Sequence, residues 1–350
     1  MAPVTAGQRV DDRYLLETLL ENRHGVQVWR ATQHPLRRQV VVKLVPQGDD
    51  AALERRFQRE AEALGRLNHP ACVDVYDHGV WQGWLFLVTA WIDGELLADR
   101  VGTRWSPSDA LTLVTDIASG LAYAHVREVY HRDLSPSRII IDHVDGRDFA
   151  RMVDFGSARF ADSTLDTTAG GAPYGTPGYM APERIEGERG DARGDVYAMG
   201  VIFFELLTGQ HPFRRDRAIE TLAAQASGEV PDPASLQPPV QVPRAISWTI
   251  DRCTRRNPAE RLQDGEALLA ALLACRVALS DRRLWKLTPA MEDGELRLPA
   301  QLAEPVTHSR SLVRPSERGG FPWMAVLAAT AVLMVGIVTV SVILVVLILL

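Results

Sequence analysis

The chain has 350 residues, of which 46% are apolar and 23% charged, and its formal net charge is −6. This length and composition predict a packed core in one large two-lobed domain or in two ordinary domains. The acidic balance, with no block of basic residues, gives no footprint for nucleic acid, and no such partner is expected. Three scattered cysteines (Cys72, Cys253 and Cys275) predict buried, reduced thiols and not a disulfide or a zinc site.

The first part of the chain contains short strands and one helix. No apolar stretch follows Met1, so no signal peptide is expected, and residues 1–11 are interpreted as a tail. β-Prone runs predict strands, and apolar residues at helical spacing predict a helix. The predicted strands are 14–20, 26–31, 39–45 and 84–90, and the predicted helix is 51–67.

The region after residue 106 is mainly helical. Its two clearest helices are 110–126 and 195–207, and the second is apolar almost all round, which predicts burial. A hairpin lies between them, with strands at 139–141 and 150–153 around an Asp145-Gly146 turn. The pattern predicts an α+β fold, with a β-rich N-lobe at 12–92 and a helix-rich C-lobe at 93–280.

The last part of the chain predicts a membrane anchor. Residues 281–321 are rich in Pro, Arg and Ser and are interpreted as a juxtamembrane linker. Residues 322–350 carry no charge, and a helix of that length reaches about 44 Å, which exceeds the roughly 30 Å hydrocarbon core of a bilayer. Arg310, Arg314 and Arg318 precede this predicted transmembrane helix, which places the N-terminal domain in the cytoplasm.

Four ionisable residues and three longer motifs follow one another in a specific order. Lys43 stands in VVVK, Glu60 in FQREAEAL, Asp133 in YHRDL and Asp154 in VDFG. The later motifs are GTPGYMAPE at 175–183, GDVYAMG at 194–200 and NPAER at 257–261. Over residues 12–275 the sequence resembles the eukaryotic-like Ser/Thr protein kinases of bacteria, in a single-pass membrane form. The resemblance implies a two-lobed kinase fold that uses ATP with Mg²⁺ or Mn²⁺ and phosphorylates Ser/Thr hydroxyls of proteins.

Glu60 poses a burial problem that can be stated without the resemblance. It shares a helical stripe with Phe57 and Leu64, and an unpaired carboxylate facing a core is very costly. The alternative is that Glu60 reaches solvent at the edge of the stripe. The kinase resemblance implies instead that Lys43 pairs with Glu60 and holds the α- and β-phosphates of ATP.

The two aspartates are loop residues, and either alone is more often an ordinary turn residue. Their HRD and DFG contexts and the hairpin between them favour a catalytic pair. By resemblance, Asp133 accepts the proton of the substrate hydroxyl and Asp154 binds the metal ion.

The resemblance also implies a set of supporting residues. The nucleotide-binding residues are Val28, Val41, Lys43, Thr89, Ala90, Ile92, Ile140 and Asp154. The structural residues are His131, Arg132, Phe155, Glu183, Asp195 and Arg261. Among them, Glu183 is expected to form a buried salt bridge with Arg261. Asp195 is expected to tether the catalytic loop, and it also has a simpler interpretation as the N-cap of helix 195–207. Thr167, Thr168 and Thr176 are assigned to the activation loop, where phosphorylation is one hypothesis and a plain polar loop the other.

Two regions depart from the family pattern. The three positions of the glycine-rich loop hold Glu21, Arg23 and Val26, and side chains there keep the loop away from phosphates. The family's catalytic loop reads Lys-Pro-x-Asn where this chain has Ser135 and Arg138, and arginine has no lone pair for a metal. Either Arg138, assigned as catalytic, replaces a cation electrostatically beside one metal ion, or it pairs with the aspartates and blocks the site.

These departures leave two functions open. The first is a membrane-anchored Ser/Thr protein kinase in cytoplasmic signalling, with reduced activity. The second is a catalytically impaired pseudokinase that acts as a membrane-tethered regulatory or scaffold module. Retention of Lys43, Glu60, Asp133 and Asp154 favours the kinase. The sequence identifies neither the protein substrates nor the oligomeric state.

Overall fold

The structure is a computed structural model that describes residues 3–23, 25–48, 51–144, 146–155, 175–188 and 190–303. The N-lobe is a six-stranded antiparallel sheet in the order β1-β2-β3-β4-β6-β5, with one helix, α1. The strands are β1 (Arg9–Val10), β2 (Tyr14–Arg23), β3 (Val26–Gln33), β4 (Arg38–Pro46), β5 (Val75–Trp81) and β6 (Trp84–Ala90), and α1 is Ala51–Gly65.

Two features of the N-lobe differ from the sequence prediction. The predicted tail at 1–11 is wrong over its last residues, because β1 pairs with β2 and Val10 is fully buried. Strand β5 was not predicted, and its residues are alternately half-buried and exposed along one edge of the sheet. An edge strand with one face toward solvent lacks the continuous apolar run that marks a buried strand.

The register of β4 decides where Lys43 points. Val40, Val42 and Leu44 are fully buried on one face, whereas Val41 and Lys43 alternate with them on the other. Because side chains alternate along a strand, a slip of one residue would move Lys43 into the outer core of the lobe. The apolar alternation therefore fixes the lysine on the face that carries the site.

The C-lobe is built mainly from helices. They are α2 (Pro107–His125), α3 (Pro182–Ile185), α4 (Ala192–Thr208), α5 (Ala218–Ser227), α6 (Arg244–Thr254) and α7 (Gly265–Ser280). A small antiparallel sheet, β7-β8-β9, joins β7 (Gly94–Leu96) to the hairpin of β8 (Ile139–Val144) and β9 (Arg147–Met152). Short 3₁₀ helices lie at Leu97–Asp99, Pro136–Arg138, Pro233–Ser235, Pro258–Glu260 and Arg282–Leu284. The predicted hairpin is confirmed, although Asp145 of its turn lies outside the described residues.

Helix α4 is buried almost throughout, as its apolar sequence predicted. Its N-cap is Asp191, whose side chain accepts a hydrogen bond from the backbone N–H of Arg193. The interpretation of Asp195 as N-cap is therefore wrong: Asp195 lies inside the first turn and is buried. The helix ends at Gly209, whose φ of 69° is the left-handed conformation that a glycine C-cap supplies at low cost.

Residues 281–303 fold onto the C-lobe, so the predicted linker at 281–321 is wrong over this part. They form the Arg282–Leu284 turn and an antiparallel hairpin of β10 (Ala290–Glu292) and β11 (Glu295–Arg297). The backbone N–H of Arg244 donates to the carbonyl of Trp285 at 2.8 Å, and Leu302 joins the main core.

The predicted transmembrane helix at 322–350 lies outside the described residues. Within the ranges that the structure describes, none of the helices combines the length and the apolar composition needed to cross a bilayer.

Candidate active site

An ion-pair chain begins at the N-lobe. Lys43 Nζ lies 2.7 Å from Glu60 Oε2 and 2.9 Å from Asp154 Oδ1. Glu60 is 3% exposed, between Phe57 and Leu64 on the buried stripe of α1. The expectation that Glu60 needs a cation is therefore met by Lys43, and the alternative of an exposed Glu60 is wrong.

Burial and charge act against each other in this group. Burial lowers the pKa of Lys43, but Asp154 and Glu60 together raise it above the ordinary value, so the ammonium stays charged. Burial raises the pKa of Glu60 to about 7, although Lys43 acts in the opposite direction. Burial also disfavours ionised Asp154, yet Lys43 and Arg138 hold its pKa below the usual range.

Arg138, on the short helix Pro136–Arg138 of the C-lobe, continues this series of ion pairs. Its Nη1 lies 2.6 Å from Asp154 Oδ2, and its Nη2 lies 3.6 Å from Asp133 Oδ2. The five side chains alternate in charge in the order Glu60, Lys43, Asp154, Arg138 and Asp133. The contact of Arg138 with both aspartates is the pairing that the second hypothesis for Arg138 describes.

Asp133 is held from its other oxygen by Thr176. The backbone N–H and the hydroxyl of Thr176 both donate to Asp133 Oδ1 at 2.8 Å. The Thr176 hydroxyl also lies 3.4 Å from the hydroxyl of Ser135, which is fully buried. Thus the only predicted activation-loop threonine within the described residues contacts the predicted base directly; Thr167 and Thr168 lie outside them.

Asp195 holds the backbone of the catalytic loop at His131 and Arg132. Its carboxylate accepts hydrogen bonds from the backbone N–H groups of His131 (2.8 Å) and Arg132 (2.7 Å). Burial works against the ionised form, but the hydrogen bond with His125 and that from Arg132 hold the pKa of Asp195 below its usual range. The predicted tether is present, and Asp195 acts as an acceptor for the loop.

Two residues of the site have strained backbone. Arg132 has a φ of 65° and Asp154 a φ of 57°. A residue other than glycine in this region costs about 1–3 kcal/mol and persists where its surroundings hold it. The bonds to Asp195 hold Arg132, and the two cations hold Asp154. His131 packs its ring 4.5 Å from that of Phe155, next to Asp154 in the chain.

The segment 175–183 packs against the loop that carries Asp133. Glu183 and Arg261 form the expected buried salt bridge, with two parallel contacts of 2.8 and 2.7 Å. Gln225 of α5 binds the backbone of Gly178 twice, accepting from its N–H and donating to its carbonyl. This segment therefore has a defined position beside Asp133.

Comparison with known proteins agrees with this geometry. Residues 24–272 match the family model described as the protein kinase domain. The chain belongs to the protein kinase family. It is 35% identical over 277 residues to the serine/threonine-protein kinase pkn3 of Myxococcus xanthus, which covers 77% of this chain and 51% of that protein.

Two further bacterial relatives show the same pattern. The serine/threonine-protein kinase PknD of Mycobacterium tuberculosis is 38% identical over 264 residues, or 74% of this chain and 39% of PknD. The serine/threonine-protein kinase PrkC of Bacillus subtilis is 28% identical over 353 residues, or 96% of this chain and 54% of PrkC. The chain thus spans about half the length, or less, of these relatives. The resemblance to eukaryotic-like bacterial Ser/Thr kinases is confirmed.

Five of the predicted nucleotide-binding residues lie on the adjoining strands β3, β4 and β6, and Ile140 lies on β8. Val28 is paired with Lys43 across β3 and β4, and Val41 is paired with Thr89 across β4 and β6. The side chains of Val28, Val41, Thr89, Ala90 and Ile140 are half-buried, as expected for the lining of a cleft. Ile92 differs, because it is buried in the main core.

The positions of the glycine-rich loop lie on the β2–β3 hairpin. Glu21 pairs with Val28, and Arg23 pairs with Val26 at the turn. Val26 packs against the main core. Gly25 forms the turn itself with a φ of 80°. The turn of this hairpin therefore contains one glycine, Gly25, and residues with side chains occupy the three positions that are glycine in the family pattern.

The kinase domain fits one divalent ion better than two. Asp154 is the carboxylate that would hold an ion, since carboxylate oxygens suit Mg²⁺. Both of its oxygens contact cations here, and the family's asparagine ligand is replaced by Arg138, which has no lone pair. In the described residues, no cluster of three or more His, Cys, Asp or Glu side chains could hold a metal. The residues present therefore do not fit a second divalent ion, because Arg138 stands where its ligand would be.

Sequence reasoning missed two residues that support the site. His125 accepts a hydrogen bond at Nδ1 from the backbone N–H of Gly265, so its Nε2 carries the proton and faces Asp195 Oδ2 at 3.1 Å. Gln225 is the second, through its bonds to Gly178. A polar side chain at an otherwise buried helical position was the available signal for both, but it does not identify a partner.

Proposed function

We propose that the chain is a Ser/Thr protein kinase that transfers the γ-phosphate of ATP to protein hydroxyls and is anchored in a membrane. The observation that carries the proposal is the chain of ion pairs that brings Asp133 and Asp154 to Lys43 and Glu60. Four side chains far apart in sequence converge at the cleft between a sheet and a helical lobe. This arrangement matches the roles that phosphoryl transfer requires.

Lys43 and the half-buried strand residues bind the nucleotide in this proposal. The Lys43 ammonium, kept in place by Glu60, holds phosphate oxygens. Val28, Val41 and Ile140 offer apolar surface to the adenine base, and Thr89 and Ala90 line the same cleft. A divalent ion bound at Asp154 supplies neutralisation of phosphate charge.

Asp133 orients the acceptor hydroxyl and takes its proton. The hydroxyl oxygen forms a bond to the γ-phosphorus, the bond from that phosphorus to the bridging oxygen breaks, and ADP leaves. Thr176, on Asp133 Oδ1, leaves Oδ2 as the oxygen that faces Arg138. Positioning and electrostatic stabilisation account for most of the rate in this chemistry.

The docked segment 175–183 supports a protein acceptor. Gln225, Glu183 and Arg261 hold it beside Asp133 with buried polar contacts, so it can present a surface of constant shape to a peptide. Phosphorylation of Thr167 or Thr168, with Arg132 as the cation that binds the phosphate, is our proposal for regulation. The acceptor proteins themselves are not identified.

Phosphate incorporation tests the activity. The full chain is incubated with γ-labelled ATP, Mg²⁺ or Mn²⁺ and a generic protein acceptor, and is compared with Asp133→Asn. We expect the variant to lose a factor of about 10² to 10⁴. Asp142→Asn is the control, because Asp142 pairs with Arg151 on the β8–β9 hairpin and takes no part in the site. Equal, background-level incorporation in wild type and Asp133→Asn would remove the proposal.

The membrane anchor is a proposal based on the uncharged sequence at 322–350. The kinase domain then lies on the cytoplasmic face, because basic residues precede the span. Cells expressing the full chain and a chain ending at residue 303 are fractionated. We expect only the full chain in the membrane pellet after carbonate extraction. Recovery of both chains in the supernatant would contradict the anchor.

The comparisons give no support to the pseudokinase alternative. The relatives described above are each named a serine/threonine-protein kinase. Lys43 also contacts both Glu60 and Asp154, which is the arrangement that phosphoryl transfer requires. The phosphate-incorporation test decides between the two functions.

A further inference from the structure

Arg138 places a guanidinium between the two acidic side chains of the cleft. It lies 2.6 Å from an oxygen of Asp154 and 3.6 Å from an oxygen of Asp133. A cation shared by two carboxylates is the arrangement that a bridging divalent ion would otherwise provide. Here a covalently attached side chain provides it.

The charge of the catalytic loop supports this interpretation. The stretch from Asp133 to Arg138 reads Asp-Leu-Ser-Pro-Ser-Arg, so Arg138 carries its one positive charge. Ser135 is fully buried and shares hydroxyl contacts with Ser137 and Thr176, so no cation can act from that position. Within residues 133–138, the positive charge beside the two acids therefore comes from Arg138.

Lys43 and Arg138 contact opposite oxygens of one carboxylate. Lys43 lies at Oδ1 of Asp154 and Arg138 at Oδ2, so two fixed cations flank that acid. Guanidinium groups bind phosphate oxygens in a two-pronged geometry and stay charged at any physiological pH. The pair can thus offer N–H donors to the oxygens of a polyphosphate, while Glu60, Asp154 and Asp133 balance its charge.

We propose that Arg138 takes the place of the second metal ion, so that this kinase binds nucleoside triphosphate in the absence of divalent metal. The inference rests on the proposed function, because it requires a nucleotide in the cleft. The competing role is a latch: if Arg138 only closes the cleft by pairing with the acids, its removal strengthens nucleotide binding. The two roles predict opposite effects of one substitution.

Nucleotide affinity without metal tests the proposal. The full chain in detergent is titrated with ATP carrying a methylanthraniloyl fluorophore, once with EDTA and once with excess Mg²⁺. We expect the wild-type Kd to differ by less than about threefold between the two conditions, and Arg138→Asn to bind about tenfold or more weakly in EDTA. Unchanged or tighter binding by Arg138→Asn in EDTA, or wild-type binding that requires Mg²⁺, would overturn the proposal.

Two further variants separate charge from packing. Arg151→Asn is the matched control, because Arg151 also pairs with one aspartate, at 2.8 Å, and its side chain is 25% exposed against 26% for Arg138. We expect its affinity in EDTA to equal that of wild type. Arg138→Lys keeps the charge, and we expect it to bind more tightly in EDTA than Arg138→Asn. Equal affinities of the Lys and Asn variants would overturn the electrostatic role. Thermal melting of each variant verifies that it is folded.

Phosphate incorporation by the same wild-type sample separates the two proposals. Incorporation in Mg²⁺ together with nucleotide binding that needs Mg²⁺ rejects the role of Arg138 and leaves the kinase function intact. Absence of both binding and incorporation in Mg²⁺ rejects the kinase function, and the role of Arg138 with it.

Discussion

Glu60 loses nearly all its hydration when the protein folds, and one contact with Lys43 compensates for only part of that loss. The outcome is a carboxyl group whose pKa rises to about 7 because burial outweighs the attraction of the ammonium. Asp154, with two cations and more exposure to solvent, keeps a lowered pKa instead. The pKa values of the two acids that contact Lys43 are therefore shifted in opposite directions.

The pH dependence of stability tests the environment of Glu60. An acid with a raised pKa in the folded state contributes most stability below its unfolded pKa and loses it as the pH rises. For Glu60 this window runs from about 4.5 to about 7. We expect Glu60→Gln, which cannot ionise, to gain in Tm relative to wild type as the pH rises from about 5 to about 8.

Asp154 does not interfere with this measurement, because its contribution is lost only as the pH falls below the ordinary value of an aspartate. Glu62→Gln, at an exposed position of the same helix, is the control. A difference in Tm between Glu60→Gln and wild type that stays constant over the pH range would contradict the raised pKa.

Buried polar contacts and close helix crossings, among them that of α2 with α7, join the elements of the C-lobe. Glu183 on α3 binds Arg261, whose guanidinium is fully buried and also donates to the carbonyls of Arg255 and Arg256. Four residues after Arg261, the first residue of α7, Gly265, lies against the backbone of α2. These contacts position the segments that hold Asp133 and Asp195.

Removing Arg261 tests the first contact. We expect Arg261→Met to lower the free energy of unfolding by about 3–5 kcal/mol, because the buried Glu183 carboxylate loses its counter-charge. The exposed pair of Arg255 and Asp251 provides the control, and Arg255→Met is expected to cost less than about 1 kcal/mol. Urea unfolding measures both. Similar losses in the two variants would show that burial adds nothing to the Glu183 pair.

A methyl group at Gly265 tests the helix crossing. A Cβ there would lie 2.3 Å from the backbone nitrogen of Ala122, so α2 and α7 would have to separate. We expect Gly265→Ala to cost about 1–3 kcal/mol or more by overpacking, and to weaken phosphate transfer because His125 bridges Gly265 and Asp195. Gly65→Ala, with open space at the end of α1, should be neutral or stabilising. An unchanged free energy of unfolding in Gly265→Ala would refute the close contact.

At the scale of the whole molecule, the kinase domain extends beyond its last long helix. Residues 281–303 return to the C-lobe and place Leu302 in the core at 1% exposure. Partly buried leucines at 284, 287, 296 and 298 pack beside the same core. The family match ends at residue 272, before this extension begins. We expect the extension to stabilise the folded domain through its buried leucines.

Truncating Leu302 tests whether the extension stabilises the domain. We expect Leu302→Ala to cost about 2–5 kcal/mol in free energy of unfolding, the range for buried leucines. Leu36→Ala is the control, since Leu36 is 66% exposed, and it should change stability by less than about 0.5 kcal/mol. A loss for Leu302→Ala as small as that for Leu36→Ala would mean that residues 281–303 behave as the linker that composition suggested.

Much of the fold could be predicted because its signals are local. Alternating valines on β4 and the uncharged run of α4 reveal burial directly. The extension was predicted as a linker because the whole stretch 281–321 is rich in Pro, Arg and Ser, and the leucines at its start give no sustained helical or strand period. For Asp195 the residue pattern alone predicted an N-cap, because an acid near a helix start has that meaning by default, and only the family resemblance implied the tether to a loop more than sixty residues earlier.

Residue type, order and short-range period were enough to predict the kinase resemblance, the two lobes and the four ionisable residues. The packed chain alone reveals that Arg138 lies between Asp133 and Asp154, that His125 links Gly265 to Asp195, and which oxygen of each acid faces which cation. Those facts depend on distances between segments remote in sequence, which packing sets and local pattern does not record.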